Sequence, residues 1–114
     1  MRLSVVVPAY DEAARLGPTL ARIAAYLADD DHELIVVDDG SRDTTAAIAA
    51  AAGARVERHA VNRGKGAAVR TGVLAARGDR ILVCDADLAT PIEEATGLLA
   101  SRWAPERHAG SDEV

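Results

Sequence analysis

Two carboxylates one residue apart, Asp85 and Asp87, stand at the end of the short apolar run Ile81-Leu82-Val83-Cys84. Hard oxygen ligands this close together suit a divalent cation such as Mg²⁺ or Mn²⁺, which also takes oxygens from a diphosphate. The competing reading makes one aspartate a turn residue and the other a helix cap. Two further apolar runs end in polar groups: Leu3 to Val7 leads into Pro8-Ala9-Tyr10-Asp11-Glu12, and Glu33 to Val37 leads into Asp38-Asp39-Gly40-Ser41. Among thirteen Lys and Arg the only lysine, Lys65, lies in the loop Asn62-Arg63-Gly64-Lys65-Gly66. In so arginine-rich a chain the lone lysine stands out. Cys84, the single cysteine, has no internal disulfide partner and is expected to be a small buried hydrophobe. His32, His59 and His108 show no metal-ligand spacing with it, which removes a zinc site.

Composition bounds the classes available to such residues. With 114 residues the chain is one domain at most, long enough for a core. Apolar residues are 49% and charged ones 27%, the balance of a globular protein and not of a disordered chain. A net charge of -5 argues against a nucleic-acid-binding face. No apolar run approaches the length of a membrane span, and no signal-peptide pattern precedes Val5-Val6-Val7, so the expected compartment is the cytosol.

The elements that must position these residues alternate along the chain. Leu3 to Val7 reads as a first strand stopped by Pro8. Gly17-Pro18 reads as a helix start with Pro at the first helical position, followed by an apolar stripe of Leu16, Leu20, Ile23 and Leu27. Glu33 to Val37 is a second strand. Ser41 or Asp43 is expected to cap the Ala-rich helix that follows and stops at Gly53. Arg55-Val56-Glu57-Arg58 is a weaker third strand whose alternation suggests an edge. The Gly64-Lys65-Gly66 loop opens a helix expected to run through Arg77 with Gly78 as its stop. Ile81 to Cys84 is the fourth strand, read as buried on both faces. Thr90-Pro91-Ile92-Glu93 then carries a capping-box pattern that starts a helix to about Trp103.

This βαβαβαβ order predicts an α/β fold with a mainly parallel, doubly wound sheet. In strand order 3-2-1-4 the switch point falls between the first and fourth strands and brings Pro8 to Glu12 beside Asp85 to Asp87, with Asp38 one strand away. The glycines do not make a known phosphate loop. A Walker motif needs Gly at position 59 and Ser or Thr at 66, where His59 and Gly66 stand. A dinucleotide fingerprint needs Gly or Ala at position 69, where Val69 stands.

Four motifs in register carry a more specific signal: Val6-Val7-Pro8-Ala9-Tyr10-Asp11-Glu12, Val37-Asp38-Asp39-Gly40-Ser41-Arg42-Asp43, Asn62-Arg63-Gly64-Lys65-Gly66 and Asp85-Ala86-Asp87-Leu88-Ala89-Thr90-Pro91. Their order and spacing resemble the family-2 glycosyltransferases of GT-A fold, and within these the dolichyl- or polyprenyl-phosphate sugar synthases, the glucosyltransferase branch more than the mannosyltransferase branch. The resemblance covers about residues 3 to 103, so the expected domains are 1–103, a shortened nucleotide-sugar-binding domain, and 104–114, a polar tail without family motif.

The resemblance implies an enzyme that moves a sugar, glucose favoured, from a nucleoside-diphosphate sugar to a polyprenyl or dolichyl phosphate with inversion. UDP-glucose is the favoured donor and GDP-mannose the second. The alternatives are a non-catalytic nucleotide-sugar-binding module and a mannosyltransferase-type enzyme. By position, Pro8, Tyr10 and Glu12 would hold base and ribose, Asp38 would accept from a base N–H, and Lys65 would steer a phosphate. Asp85 would touch ribose or metal, Asp87 would bind the Mg²⁺ or Mn²⁺ that bridges the diphosphate, and small Ala86 would let the backbone approach the nucleotide. The lipid acceptor would be met at the bilayer surface, so the expected location is cytoplasmic or peripheral at the inner face of the membrane. An exposed sheet edge would favour self-association.

Overall fold

The computed structural model describes residues 3–87. Its four strands, β1 (Leu3–Ala9), β2 (His32–Asp38), β3 (Arg55–Arg58) and β4 (Arg80–Val83), form one parallel sheet in the order β3-β2-β1-β4. Three helices connect them: α1 (Ala13–Tyr26), α2 (Thr45–Ala51) and α3 (Lys65–Ala75). The helix expected from Thr90 to Trp103, the tail 104–114 and the domain boundary between them lie outside the described residues.

β1 and β2 carry unbroken apolar runs, Val5 to Val7 and Leu34 to Val37, and both faces of these runs are covered. Val5, Val7 and Val36 point to one side, where they pack with Leu16, Leu20, Ile23 and Leu27 of the α1 stripe and with Ala49 of α2. Val6, Ile35 and Val37 point to the other, against Ala68 of α3. α3 lies so close to β1 that a Cβ on Gly72 would stand 2.3 Å from Val6 Cγ1. Only glycine permits that approach.

Several boundaries differ from the sequence expectation, each for a physical reason. β1 does not stop at Pro8 but runs through it to Ala9. Val6 O accepts from Cys84 N, so even-numbered residues of β1 face β4, and the β4 ladder has already ended at the Val6–Val83 pair. Proline therefore lacks its N–H where no ladder partner needs it. α1 begins at Ala13, and Pro18 is inside the helix. What starts it is the segment from the loop after β2 to the first residue of α2: Ser41 Oγ accepts from Asp11 N at 2.9 Å, Thr45 Oγ1 from Glu12 N at 3.0 Å and Asp43 Oδ2 from Ala13 N at 3.3 Å. Ser41 thus serves the preceding helix, while Asp43 Oδ1 also accepts from Thr45 N at the start of α2.

At the other end of the sheet, α3 stops at Ala75, not Arg77, and Ala76 is extended. Arg77 N and Gly78 N donate instead to Glu33 Oε2 and Ser4 Oγ, both at 2.8 Å, which turns the chain into β4. β4 is not buried on both faces. Among the described residues it is an edge strand paired only with β1, and Val83 is exposed.

Candidate functional site

The connection that leaves β1 crosses one face of the sheet through α1, the connection that enters β4 crosses the other through α3, and a crevice opens beyond the C-terminal ends of these two neighbouring strands. It is a cleft of about 600 Å³. One wall is Pro8, Tyr10 and Glu12 after β1, another is Asn62, Gly64 and Lys65 before and at the start of α3, and the third is Asp85-Ala86-Asp87 after β4. Seven of the eight residues singled out in the sequence therefore line one cavity.

Asp38 is the exception. It is fully buried beneath the cleft, with Oδ1 accepting from Ser41 N at 3.0 Å and Oδ2 only 3.3 Å from Arg58 Nε but not in line for a hydrogen bond. Its neighbour Asp39 reaches the cleft wall in its place, because successive residues of an extended chain point to opposite sides.

Asp39 is the residue that sequence reasoning undervalued. Its carboxylate accepts from Arg63 N at 2.9 Å and Gly64 N at 2.8 Å and faces His59 Nδ1 at 2.7 Å, while His59 Nε2 meets Thr71 Oγ1 at 2.8 Å. Burial works against the charge on Asp39, but the hydrogen bonds from His59, Arg63 and Gly64 and the charge of His59 outweigh it and hold its carboxyl below the usual value. The turn after β2 is thereby tied to the loop before α3. Gly40, at φ 78°, completes the tie, since a Cβ there would meet Asn62 N at 2.4 Å. The local sequence signal for this role was a doubled aspartate followed by glycine, which also reads as an ordinary turn.

The Asp-Ala-Asp turn owes its spacing to alternation. Ala86 is buried with its methyl in the core cluster, so Asp85 and Asp87 on either side are turned outward, their side chains 46% and 42% exposed. Lys65 Nζ lies 2.8 Å from Asp85 Oδ1, and Arg15 Nη1 lies 3.9 Å from Asp87 Oδ2 while its Nε approaches Glu12 Oε1 at 3.1 Å. Tyr10 OH accepts from Arg42 Nη2 at 3.4 Å. Among the described residues no three His, Cys, Asp or Glu side chains converge on one point. Two accessible carboxylates on an open cleft do fit Mg²⁺ or Mn²⁺, which keep most of their coordination for water and substrate phosphate oxygens. Cys84, beside them, is buried, and burial together with the charge of Asp85 pushes its thiol up to about 11, so it stays protonated and inert.

Comparison with known proteins agrees with this geometry. The chain is 41% identical over 123 residues to a dolichyl-phosphate beta-glucosyltransferase of Drosophila melanogaster, which covers 90% of this chain and 38% of that protein. It is 41% identical over 106 residues to an undecaprenyl-phosphate 4-deoxy-4-formamido-L-arabinose transferase of Shewanella sediminis, covering 86% and 32%. The chain thus spans about a third of the length of the curated relatives it matches. Among solved structures, mannosyl-3-phosphoglycerate synthase from Rubrobacter xylanophilus superposes with a TM-score of 0.77 at 29% identity, over 90% of this chain and 36% of that one. Glucosyl-3-phosphoglycerate synthase from Mycobacterium tuberculosis, solved with Mn²⁺, uridine diphosphate and glucosyl-3-phosphoglycerate, gives 0.65 at 37% identity, over 74% and 33%. The sheet is thus that of the GT-A glycosyltransferases. The model of glycosyl transferase family 2 matches residues 4–108, and the chain belongs to that family.

Proposed function

We propose that the cleft binds a nucleoside-diphosphate sugar, UDP-glucose first and GDP-mannose second, and that this chain is the donor-binding part of a polyprenyl-phosphate glycosyltransferase. The observation that carries the reading is the meeting of two outward carboxylates, one lysine and the β1 turn at the switch point of the sheet. The names of the Drosophila and Shewanella relatives supply the acceptor class, and the Mycobacterium tuberculosis structure supplies UDP and Mn²⁺.

In this reading Pro8, Tyr10 and Glu12 hold base and ribose, and the base N–H faces the carboxylate of Asp39, which takes the role expected of Asp38. Asp85 and Asp87 would hold the cation. Bound there, the cation would stabilise negative charge as it grows on the departing diphosphate. Lys65 adds a positive charge on the same side and orients the diphosphate. Transfer breaks the bond from the anomeric carbon to the diphosphate oxygen, which keeps the electron pair, and forms a bond from that carbon to an acceptor phosphate oxygen on the opposite face, with inversion. The acceptor oxygen is already ionised near neutrality, so no side chain has to remove a proton from it. The lipid would be met at a membrane surface; no helix among the described residues is long and apolar enough to cross one. The edge of β4, unpaired among the described residues, is where a second copy would add.

Calorimetric titration with UDP-glucose and with GDP-mannose, each with and without Mn²⁺, tests the reading. Metal-dependent binding of one donor that disappears in Asp87→Ala, followed by transfer to a polyprenyl phosphate, is the expected result. Binding without transfer would leave only a donor-binding module. A folded chain that binds neither donor would overturn the assignment.

A further inference from the structure

The aspartate pair is held from beneath by a residue of α1. Thr19 is buried, and its Oγ1 donates to Ala86 O at 2.6 Å, across 67 positions of sequence. Threonine in a helix usually turns its hydroxyl back to a carbonyl of its own preceding turn. Here the hydroxyl leaves the helix and bonds the turn after β4. Ala86 is thereby fixed twice, by its methyl in the core and by its carbonyl on Thr19. The carbonyl belongs to the rigid peptide plane that joins Ala86 to Asp87, so the bond sets the direction in which Asp87 leaves the turn. The same helix face brings Arg15 to Asp87.

We propose that Thr19 is a positioning residue for the Asp85–Asp87 pair, holding the two carboxylates in the orientation that takes the cation and diphosphate together; this rests on the function proposed above. It touches neither ligand and acts through Ala86. Removing its hydroxyl leaves the Ala86 carbonyl buried and unbonded and lets that peptide plane turn.

The test compares the full chain with Thr19→Val, which keeps the branched shape, and Thr19→Ser, which keeps the hydroxyl. UDP is titrated with and without Mn²⁺, and amide order parameters at Ala86 and Asp87 are measured by nitrogen relaxation. Thr19→Val is expected to weaken UDP binding in Mn²⁺ roughly 5- to 10-fold, the equivalent of one net hydrogen bond, and to change metal-free binding by less than about twofold. Thr19→Ser is expected to restore it, and the order parameters should fall in Val and recover in Ser. Equal loss with and without metal, unchanged affinity, or failure of Ser to rescue would overturn the proposal. If the parent chain shows no metal-dependent UDP binding, the proposed function fails, and the order parameters alone decide on Thr19: unchanged values in Thr19→Val refute it. Should Thr19→Val not fold, Thr19→Ala takes its place in both measurements.

Discussion

Asp39→Asn exchanges one oxygen for an NH₂ group at a carboxylate that meets three donors. Gly64 N–H bonds Oδ2, while Arg63 N–H and His59 Nδ1 share Oδ1. An amide offers a single acceptor, so one way round its NH₂ faces Gly64 N–H, and the other way round it faces Arg63 N–H. A tautomer change of His59 relieves only its own contact. One hydrogen bond to a charged group, worth about 1.5–3 kcal/mol, is lost, and the remaining two become ordinary neutral bonds. The expected net loss is about 3 kcal/mol, a large part of a domain stability of about 5–15 kcal/mol. With a urea slope of about 1–3 kcal/mol per molar, the unfolding midpoint at neutral pH should drop by roughly 1–3 M. The pH dependence checks the cause. The folded-state value of Asp39 lies below its ordinary 3.8, so its contribution is complete above 3.8 and is lost as pH falls through the folded value. The gap between parent and variant should therefore close on acidification below 3.8. A gap under about 0.5 kcal/mol at neutral pH, or one that stays constant into strong acid, would refute the argument.

Gly72→Ala gains about 1 kcal/mol of helix propensity but forces a Cβ to within 2.3 Å of buried Val6, and overpacking costs about 1–3 kcal/mol or more. The variant should melt lower than the parent, and a higher melting temperature would contradict the close approach of α3 to β1. Lys65→Met removes half of an exposed ion pair and should change stability by less than about 1 kcal/mol. UDP affinity measured by titration should nonetheless fall several-fold, with a weaker dependence on salt; unchanged affinity would remove Lys65 from the diphosphate site.

The sheet order and the cleft were legible because they follow from rules that act on local sequence. Unbroken apolar runs such as Val5-Val6-Val7 and Leu34-Ile35-Val36-Val37 require cover on both faces, and right-handed crossovers then leave few topologies. The Leu16, Leu20, Ile23, Leu27 stripe likewise named the buried face of α1 from its spacing. What escaped was contact between segments distant in sequence. Nothing near Gly17-Pro18 announces that residues 41 to 45 will cap a helix starting at Ala13. Asp38 and Asp39 are equivalent on paper, and only the direction in which β2 ends decides which is buried under the cleft and which reaches its wall. Thr19 carries no motif and acquires a role only through Ala86.

The borrowed cap on α1 also bears on how the chain comes to be folded. β1 precedes the other described strands in sequence yet lies between β2 and β4, and the donors at Asp11, Glu12 and Ala13 find their protein acceptors only when Ser41, Asp43 and Thr45 are in place. In return, Arg42 N–H is received by Asp11 Oδ1 at 2.8 Å. The first two strand–helix units thus complete one another's polar contacts and are expected to order together. The wall of the cleft that the β1 turn supplies therefore rests on the segment that follows β2.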